Sequence, residues 1–362
     1  MEDKKEKKSK QWGGVIQEYR DFLDVKSSKI VTLLEGNTPL IPSVALVKEL
    51  SEMGFCGDIF FKHEGLNPTS SFKDRGMTVA VTKAYENKKR SIICASTGNT
   101  SASASAYGAR IGLPTYVIVP AETIALGKLC QAMSHGAYAI KIRGSFDTAL
   151  RLAEELAEMY NMEIVNSINP WRLEGQKTAA FEICDVLQDA PDYHFLPVGN
   201  AANIFAYWKG YKEYKWAKKI TNLPKMMGFQ AEGASPIVKG HPIENPQTIA
   251  SAIRIGNPAN WKKAELARDE SGGVVDAVSD EEIIKAYRFM GAKEGVFCEP
   301  ASAAGVAGLI RYVRMGYVKK GTVVCTITGH GLKDPDSALK FGREPKTVDA
   351  NIDEIKKVIQ LD

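Results

Sequence analysis

Cysteine is scarce: six in 362 residues (Cys56, Cys94, Cys130, Cys184, Cys298, Cys325), widely scattered. None forms a C-x-x-C pair or a Cys/His cluster with zinc spacing, so no metal site is expected. Most sit in apolar segments and read as buried thiols. No apolar run approaches the roughly 20 residues that span a bilayer. The start is charged and lacks the apolar stretch of a signal peptide, so a cytoplasmic home is expected. No G-x-S-x-G elbow exists for any of the five histidines to serve, so no hydrolase triad is expected. Neither G-x-G-x-x-G nor G-x-x-x-x-G-K-[ST] occurs, which argues against a dinucleotide or nucleoside triphosphate. Net charge is a mild +4, and no basic stripe is interleaved with aromatics, so nucleic acid is not an expected partner. The basic run Lys4 to Lys10 reads as a disordered leader.

What is present is a chain that is 44% hydrophobic and 25% charged, long enough for about two domains. From Asp58 onward, strand and helix patterns alternate. Strands are expected at 59–63, 91–95, 115–119, 137–142, 163–166, 193–198, 226–230 and 322–328. Helices are expected at 148–160, 175–187, 204–217, 280–290 and 302–315, with a short one at 353–360. Ser279 and Glu282 have capping-box spacing. Such alternation implies parallel α/β layers with right-handed crossovers. The proline-bearing segment Ser235–Asn260 reads as a loop that walls a site.

Four segments carry chemistry. In Asn67-Pro-Thr-Ser-Ser-Phe-Lys-Asp-Arg-Gly-Met77, Lys73 falls at a helix start, behind Phe72 and near Arg75. A helix N-terminus, a nearby cation and burial all depress a lysine pKa, which suits carbonyl chemistry. Ser71 and Asp74 have the spacing of a second capping box. A surface lysine in a polar turn fits the same residues. Next, the apolar strand Ser91–Ala95 runs into Ser96-Thr-Gly-Asn-Thr-Ser101 and an Ala/Ser-rich helix. Its hydroxyls and helix-start amides suit an anion; a plain N-capped helix fits equally. The third, Phe195-Leu-Pro-Val-Gly-Asn-Ala-Ala-Asn203, lets consecutive amides converge on a phosphate, or makes an ordinary strand-to-helix turn. The fourth, Thr322–Gly331, ends a buried strand in Thr328-Gly-His-Gly, where ligands of open α/β sheets bind.

Together these segments resemble the fold-type II pyridoxal-phosphate enzymes, and within them the threonine synthase family. Val165-Asn-Ser-Ile-Asn-Pro-Trp-Arg-Leu-Glu-Gly-Gln-Lys177 and Ala252-Ile-Arg-Ile-Gly-Asn-Pro-Ala-Asn260 are also similar to family segments. The likeness runs from Trp12 to about Lys340. It departs at Ser70 and Ala202, where glycine is usual. The resemblance implies two open, mainly parallel α/β domains of the tryptophan synthase β-like kind, with the cofactor between them. Residues 12–65 plus 160–350 would form the larger domain and 66–159 the smaller, with a leader at 1–11 and a tail at 351–362. It further implies that Lys73 holds pyridoxal 5'-phosphate as a Schiff base, with Phe72 beside it. Asn99 would meet the ring hydroxyl oxygen. Gly199, Asn200, Ala201, Ala202 and Asn203 would hold the cofactor phosphate, and Thr328 the ring nitrogen. Ser96, Thr97 and Thr100 would receive the substrate carboxylate.

Asn166, Ser167 and Arg172, with Asn200, form an implied second anion site. Arg172 offers a planar fork suited to phosphate; pairing with Glu174 is the plainer use of that arginine. A second phosphate site fits O-phospho-L-homoserine, converted with water to L-threonine and phosphate, and a homodimer is the family's expected state. A serine or threonine dehydratase on the same fold is the first rival. A non-catalytic cofactor- or amino-acid-binding protein is the second.

Overall fold

The structure, a computed structural model, describes residues 11–121 and 129–359. The expected leader falls almost wholly outside them. Among the described residues, ten strands form two sheets: β1 (Leu40–Pro42), β2 (Cys56–His63), β3 (Ile92–Ala95), β4 (Thr115–Pro120), β5 (Tyr138–Ile142), β6 (Glu163–Ile164), β7 (Tyr193–Pro197), β8 (Lys225–Ala231), β9 (Val274–Val278) and β10 (Lys320–Ile327). The larger sheet has the order β1-β2-β10-β7-β8-β9 and the smaller β5-β4-β3-β6. All pairings are parallel except that β1 runs antiparallel to β2. Helices cover both sheets, as buried parallel strands require.

Two strands escape the sequence pattern. β1 is only three residues long, ends in proline and lies at an edge. β9 is the opposite edge and is half-buried, so its hydrophobic signal is diluted. The helix expected at 175–187 is two helices, Pro170–Gln176 and Thr178–Leu187. At their junction Thr178 Oγ1 donates 2.7 Å back to the Gly175 carbonyl, a bond that bends helices. The capping box at Ser279–Glu282 is present. The one expected at Ser71–Asp74 is not. The Asp74 carboxylate instead accepts from the Thr69 N–H at 2.6 Å and from the hydroxyls of Thr69 and Ser103. It thereby holds the preceding loop and leaves the helix Lys73–Glu86 without a side-chain cap.

Close backbone approach sets the geometry between two helices near the site. A Cβ on Gly175 would lie 1.8 Å from the Arg75 carbonyl oxygen, and one on Gly76 would lie 2.7 Å from the Arg172 carbonyl oxygen. The helices Pro170–Gln176 and Lys73–Glu86 therefore touch backbone to backbone. That contact brings Arg172 to the end of the helix that carries Lys73.

Beneath it lies a buried ion cluster. Arg75 donates to Glu64 at 2.6 and 2.8 Å and to Glu182 at 2.7 Å through each terminal nitrogen. Lys62 donates to Glu182 at 2.6 Å and to the Thr38 carbonyl. Burial opposes the charge on Glu182, but Arg75 and Lys62 together hold its carboxyl down at about 2. Removing one member strands the others as unpaired buried charges. Glu182→Ala is therefore expected to cost roughly 3–5 kcal/mol in denaturant unfolding at neutral pH. Because the folded pKa lies below the ordinary one, this contribution is present above about pH 4.5 and is lost as pH falls through about 2. A variant as stable as the parent would contradict it.

Candidate active site

One cavity lies between the sheets, beyond the carboxyl ends of β3, β7 and β10, where open α/β sheets bind ligands. Every site residue expected from the sequence lines it, and so does the Ser251–Ile255 part of the expected wall.

Lys73 is the first residue of its helix. Its Nζ lies 4.1 Å from the Phe72 ring centroid. Burial, and secondarily the positive charge of Arg172, pull its amine down to about 7, against an opposing pull from Glu299. The cation responsible is thus Arg172 rather than Arg75, which its carboxylates neutralise. The loop before Lys73 depends on Ser70 at φ +66°. A left-handed residue is cheapest as glycine, which accounts for glycine being usual at that position.

Asn99 opens the helix Asn99–Ile111, whose first turn contributes Thr100. Ser96 and Thr97 line the cavity just before it. At the far end, Ala201 turns the chain with φ +65° into the helix Ala202–Trp216. First-turn N–H groups have no intrahelical partner, so Ala202, Asn203 and Ile204 present amides with dipole support. A Cβ on Gly199 would lie 3.0 Å from Ile253 Cα, so only glycine passes under that loop without displacing it. The Ala202 methyl packs with Leu173 and Ala206, and its backbone is unstrained. Both polar atoms of the buried Asn203 side chain lack a partner.

Arg172 is buried, and among the described residues its side chain's only hydrogen bond is from Nη1 to the Val165 carbonyl, at 3.1 Å. Nε and Nη2 have no partner. Glu174, the carboxylate that could have claimed it, pairs with Lys177 and Lys209 instead. In the lining of the same cavity, Asn200 Nδ2 donates 2.5 Å to Ser167 Oγ, while Asn200 Oδ1 accepts from Ala259 N–H. Asn166 is anchored to the Ala95 peptide, accepting at 3.0 Å and donating at 2.8 Å. That pair fixes the end of β3 and uses only one of the two Nδ2 hydrogens, so the other remains for an anion.

Thr328 Oγ1 shares a 2.9 Å hydrogen bond with Ser302 Oγ. Three charged residues of the cavity wall have no role assigned from the sequence: Arg254, Glu299 and Lys333. Glu299 precedes Pro300 at a helix start, and that proline is the available signal. No spacing reveals the other two.

The amide-lined turn closed under a glycine, with the orphaned Asn203 side chain beside it, suits the phosphate of pyridoxal phosphate, and the depressed Lys73 amine suits its aldehyde. The orphaned Arg172 suits a second anion. Residues 31–329 match the family model described as pyridoxal-phosphate dependent enzyme. The chain is 55% identical to the threonine synthase of Halalkalibacterium halodurans, covering 94% of each. It is 49% identical to that of Methanocaldococcus jannaschii, over 95% of this chain and 87% of that one. Among solved structures, maize serine racemase superposes with TM-score 0.70 at 18% identity, covering 82% of this chain and 88% of the other. The processed threonine deaminase isoform 2 of Solanum lycopersicum gives TM-score 0.70 at 21% identity, covering 87% and 84%. These two likenesses speak for the fold alone. With a matching family model and such relatives along nearly its whole length, the chain belongs to the pyridoxal-phosphate-dependent enzymes and, within them, to the threonine synthase family.

Proposed function

We propose that this chain converts O-phospho-L-homoserine and water to L-threonine and inorganic phosphate, with pyridoxal 5'-phosphate held covalently through the Lys73 amine. The observation that carries the substrate is Arg172: a buried fork with two unpaired nitrogens and no carboxylate, lining the same cavity as Ser167 and Asn200. A dehydratase, whose substrate bears no phosphate, leaves that fork unused.

When bound, the cofactor supplies an electron-accepting ring that stabilises negative charge at the amino-acid carbons. The protein supplies position and protons. The amides of residues 199–203 receive the cofactor phosphate at a helix N-terminus. Ser96, Thr97 and Thr100 receive the substrate carboxylate. Arg172, Ser167 and Asn200 hold the substrate phosphate and then the departing dianion, whose charge grows as its bond to Cγ breaks. Lys73 has an amine poised near neutrality, so it can take a proton from Cα and later return it. Thr328 would offer the ring nitrogen a hydroxyl in place of a carboxylate, a partner that favours the unprotonated nitrogen. Water must be admitted only at the hydration step, and closure of the smaller unit over the cavity serves that order.

A cytoplasmic homodimer without membrane or nucleic-acid partners completes the proposal. Six free thiols suit a reducing compartment, and among the described residues no helix is long and apolar enough to cross a membrane. The dimer rests on the family likeness. Light scattering should give twice the 39.6 kDa chain mass.

Incubation with phosphohomoserine should release threonine and phosphate in equal amounts, without 2-oxoacid. Arg172→Lys should lower kcat/KM at least about 10-fold, since a point charge replaces a bidentate fork. Phosphate release unaffected by that change would contradict the assignment. In cofactor-free protein, Lys73 should react with an amine-directed reagent at a rate that climbs through about pH 7. A midpoint in the usual lysine range, about 10.4, would refute the neutral-amine reading.

A further inference from the structure

Glu299 is the one acidic side chain lining the cavity among the described residues, against four basic ones: Lys73, Arg172, Arg254 and Lys333. It is almost wholly buried. Its two oxygens lie 3.2 and 3.1 Å from Asn99 Nδ2. Its Oε1 also lies 3.4 Å from Thr328 Oγ1, a donor. Its own N–H donates 3.0 Å to the Gly329 carbonyl. A Cβ on Gly329 would lie 2.5 Å from Glu299 Oε1, so the β10 end is seated directly on the carboxylate. Asn99 belongs to the helix after β3 of the smaller sheet, and Glu299 to the turn before the helix Pro300–Arg314 of the larger unit. The contact therefore crosses the cavity.

A carboxylate accepts and cannot donate when ionised. It fixes which way the Asn99 carboxamide points: the nitrogen faces Glu299 and the oxygen is turned away by repulsion. It also competes with the ring nitrogen for the Thr328 proton, while Ser302, on the other side of Thr328, holds the Gly329 N–H at 3.1 Å. The two residues assigned to the two polar atoms of the cofactor ring thus share one anchor.

We infer that Glu299 is a positioning residue of this site, orienting Asn99 across the cavity and setting the hydrogen-bond polarity of Thr328. The inference rests on the functional reading above. Glu299 acts through neighbours, so its loss should appear in the electronic state of the bound cofactor as well as in rate. Lys73, Lys333 and Asp334 are the charged groups that face it. Removing its charge leaves Lys73 beside Arg172 without a counter-charge, which lowers the Lys73 amine further.

The test uses cofactor-loaded protein and the variants Glu299→Gln and Asn99→Ala. Glu299→Gln should take up pyridoxal phosphate and be fixed to Lys73 by borohydride as the parent is, but with a displaced visible absorbance band. Its kcat should fall about 10- to 100-fold, the loss expected when a charged hydrogen bond is removed, with KM for phosphohomoserine changed less than about 3-fold. Asn99→Ala should reproduce the displacement with Glu299 intact, so the test survives a Glu299→Gln chain that fails to fold. The double variant should add little. An unchanged band and rate in Glu299→Gln, or effects of the two changes that simply multiply, would overturn this inference alone. A parent protein that takes up no pyridoxal phosphate would overturn the functional reading with it.

Discussion

A guanidinium has been taken out of water at position 172 without being given a partner for two of its nitrogens. Burial pulls even this group down, to about 10, yet it stays charged at neutral pH. Leaving such a charge unpaired in the interior is costly, and the structure accepts that cost at the cavity wall. The arginine also bears on Lys73: burial chiefly, and the Arg172 cation second, pull its amine down to about 7. One residue therefore contributes to both ends of the chemistry, the anion pocket and the base. An anion arriving there would satisfy the fork and ease the lysine's electrostatic surroundings together.

The scaffold is arranged to make that placement rigid. Gly76 and Gly175 let two helices meet at backbone contact, and the Arg75–Glu64–Glu182–Lys62 cluster locks the helix of Lys73 below the site. Asp74, one residue from the reactive lysine, holds the loop before it and is pushed up to about 6 by burial despite three hydrogen bonds. In the span from 73 to 75, one side chain faces the cavity, one ties the loop and one anchors the helix to the larger sheet. Alternation of role along a few residues is what a helix entering at a site edge provides, since successive side chains point about 100° apart.

Much of this was legible in the residues. Strand-ending turns at Ser96, Gly199 and Thr328 announce themselves by small and hydroxyl residues after apolar runs, and all three line one cavity. The alternation of strand and helix gave the parallel layers. What was hidden was partnership. Sequence spacing made Asp74 look like a cap for Ser71 and Arg75 look like the cation near Lys73; both are claimed by buried partners. For Arg75 those are distant in sequence, out to Glu182. Asn166 carries a donor suited to an anion, and a backbone peptide 71 residues away fixes how it points by engaging its oxygen and one of its two N–H bonds. Glu299 reaches Asn99 across 200 residues. Non-local hydrogen bonds leave no period in the chain, so the residues that orient the site are the ones a linear reading misses.

The central claim is that Arg172 is held unpaired for an anion. Thermal unfolding of the cofactor-loaded protein, with and without inorganic phosphate, tests it in parent and Arg172→Met. The account predicts that phosphate raises the parent's Tm and leaves the variant's unchanged, and that without phosphate the variant is at least as stable as the parent, because a buried unpaired charge has been replaced by an apolar chain. A variant that is less stable in phosphate-free buffer and still responds fully to phosphate would contradict it.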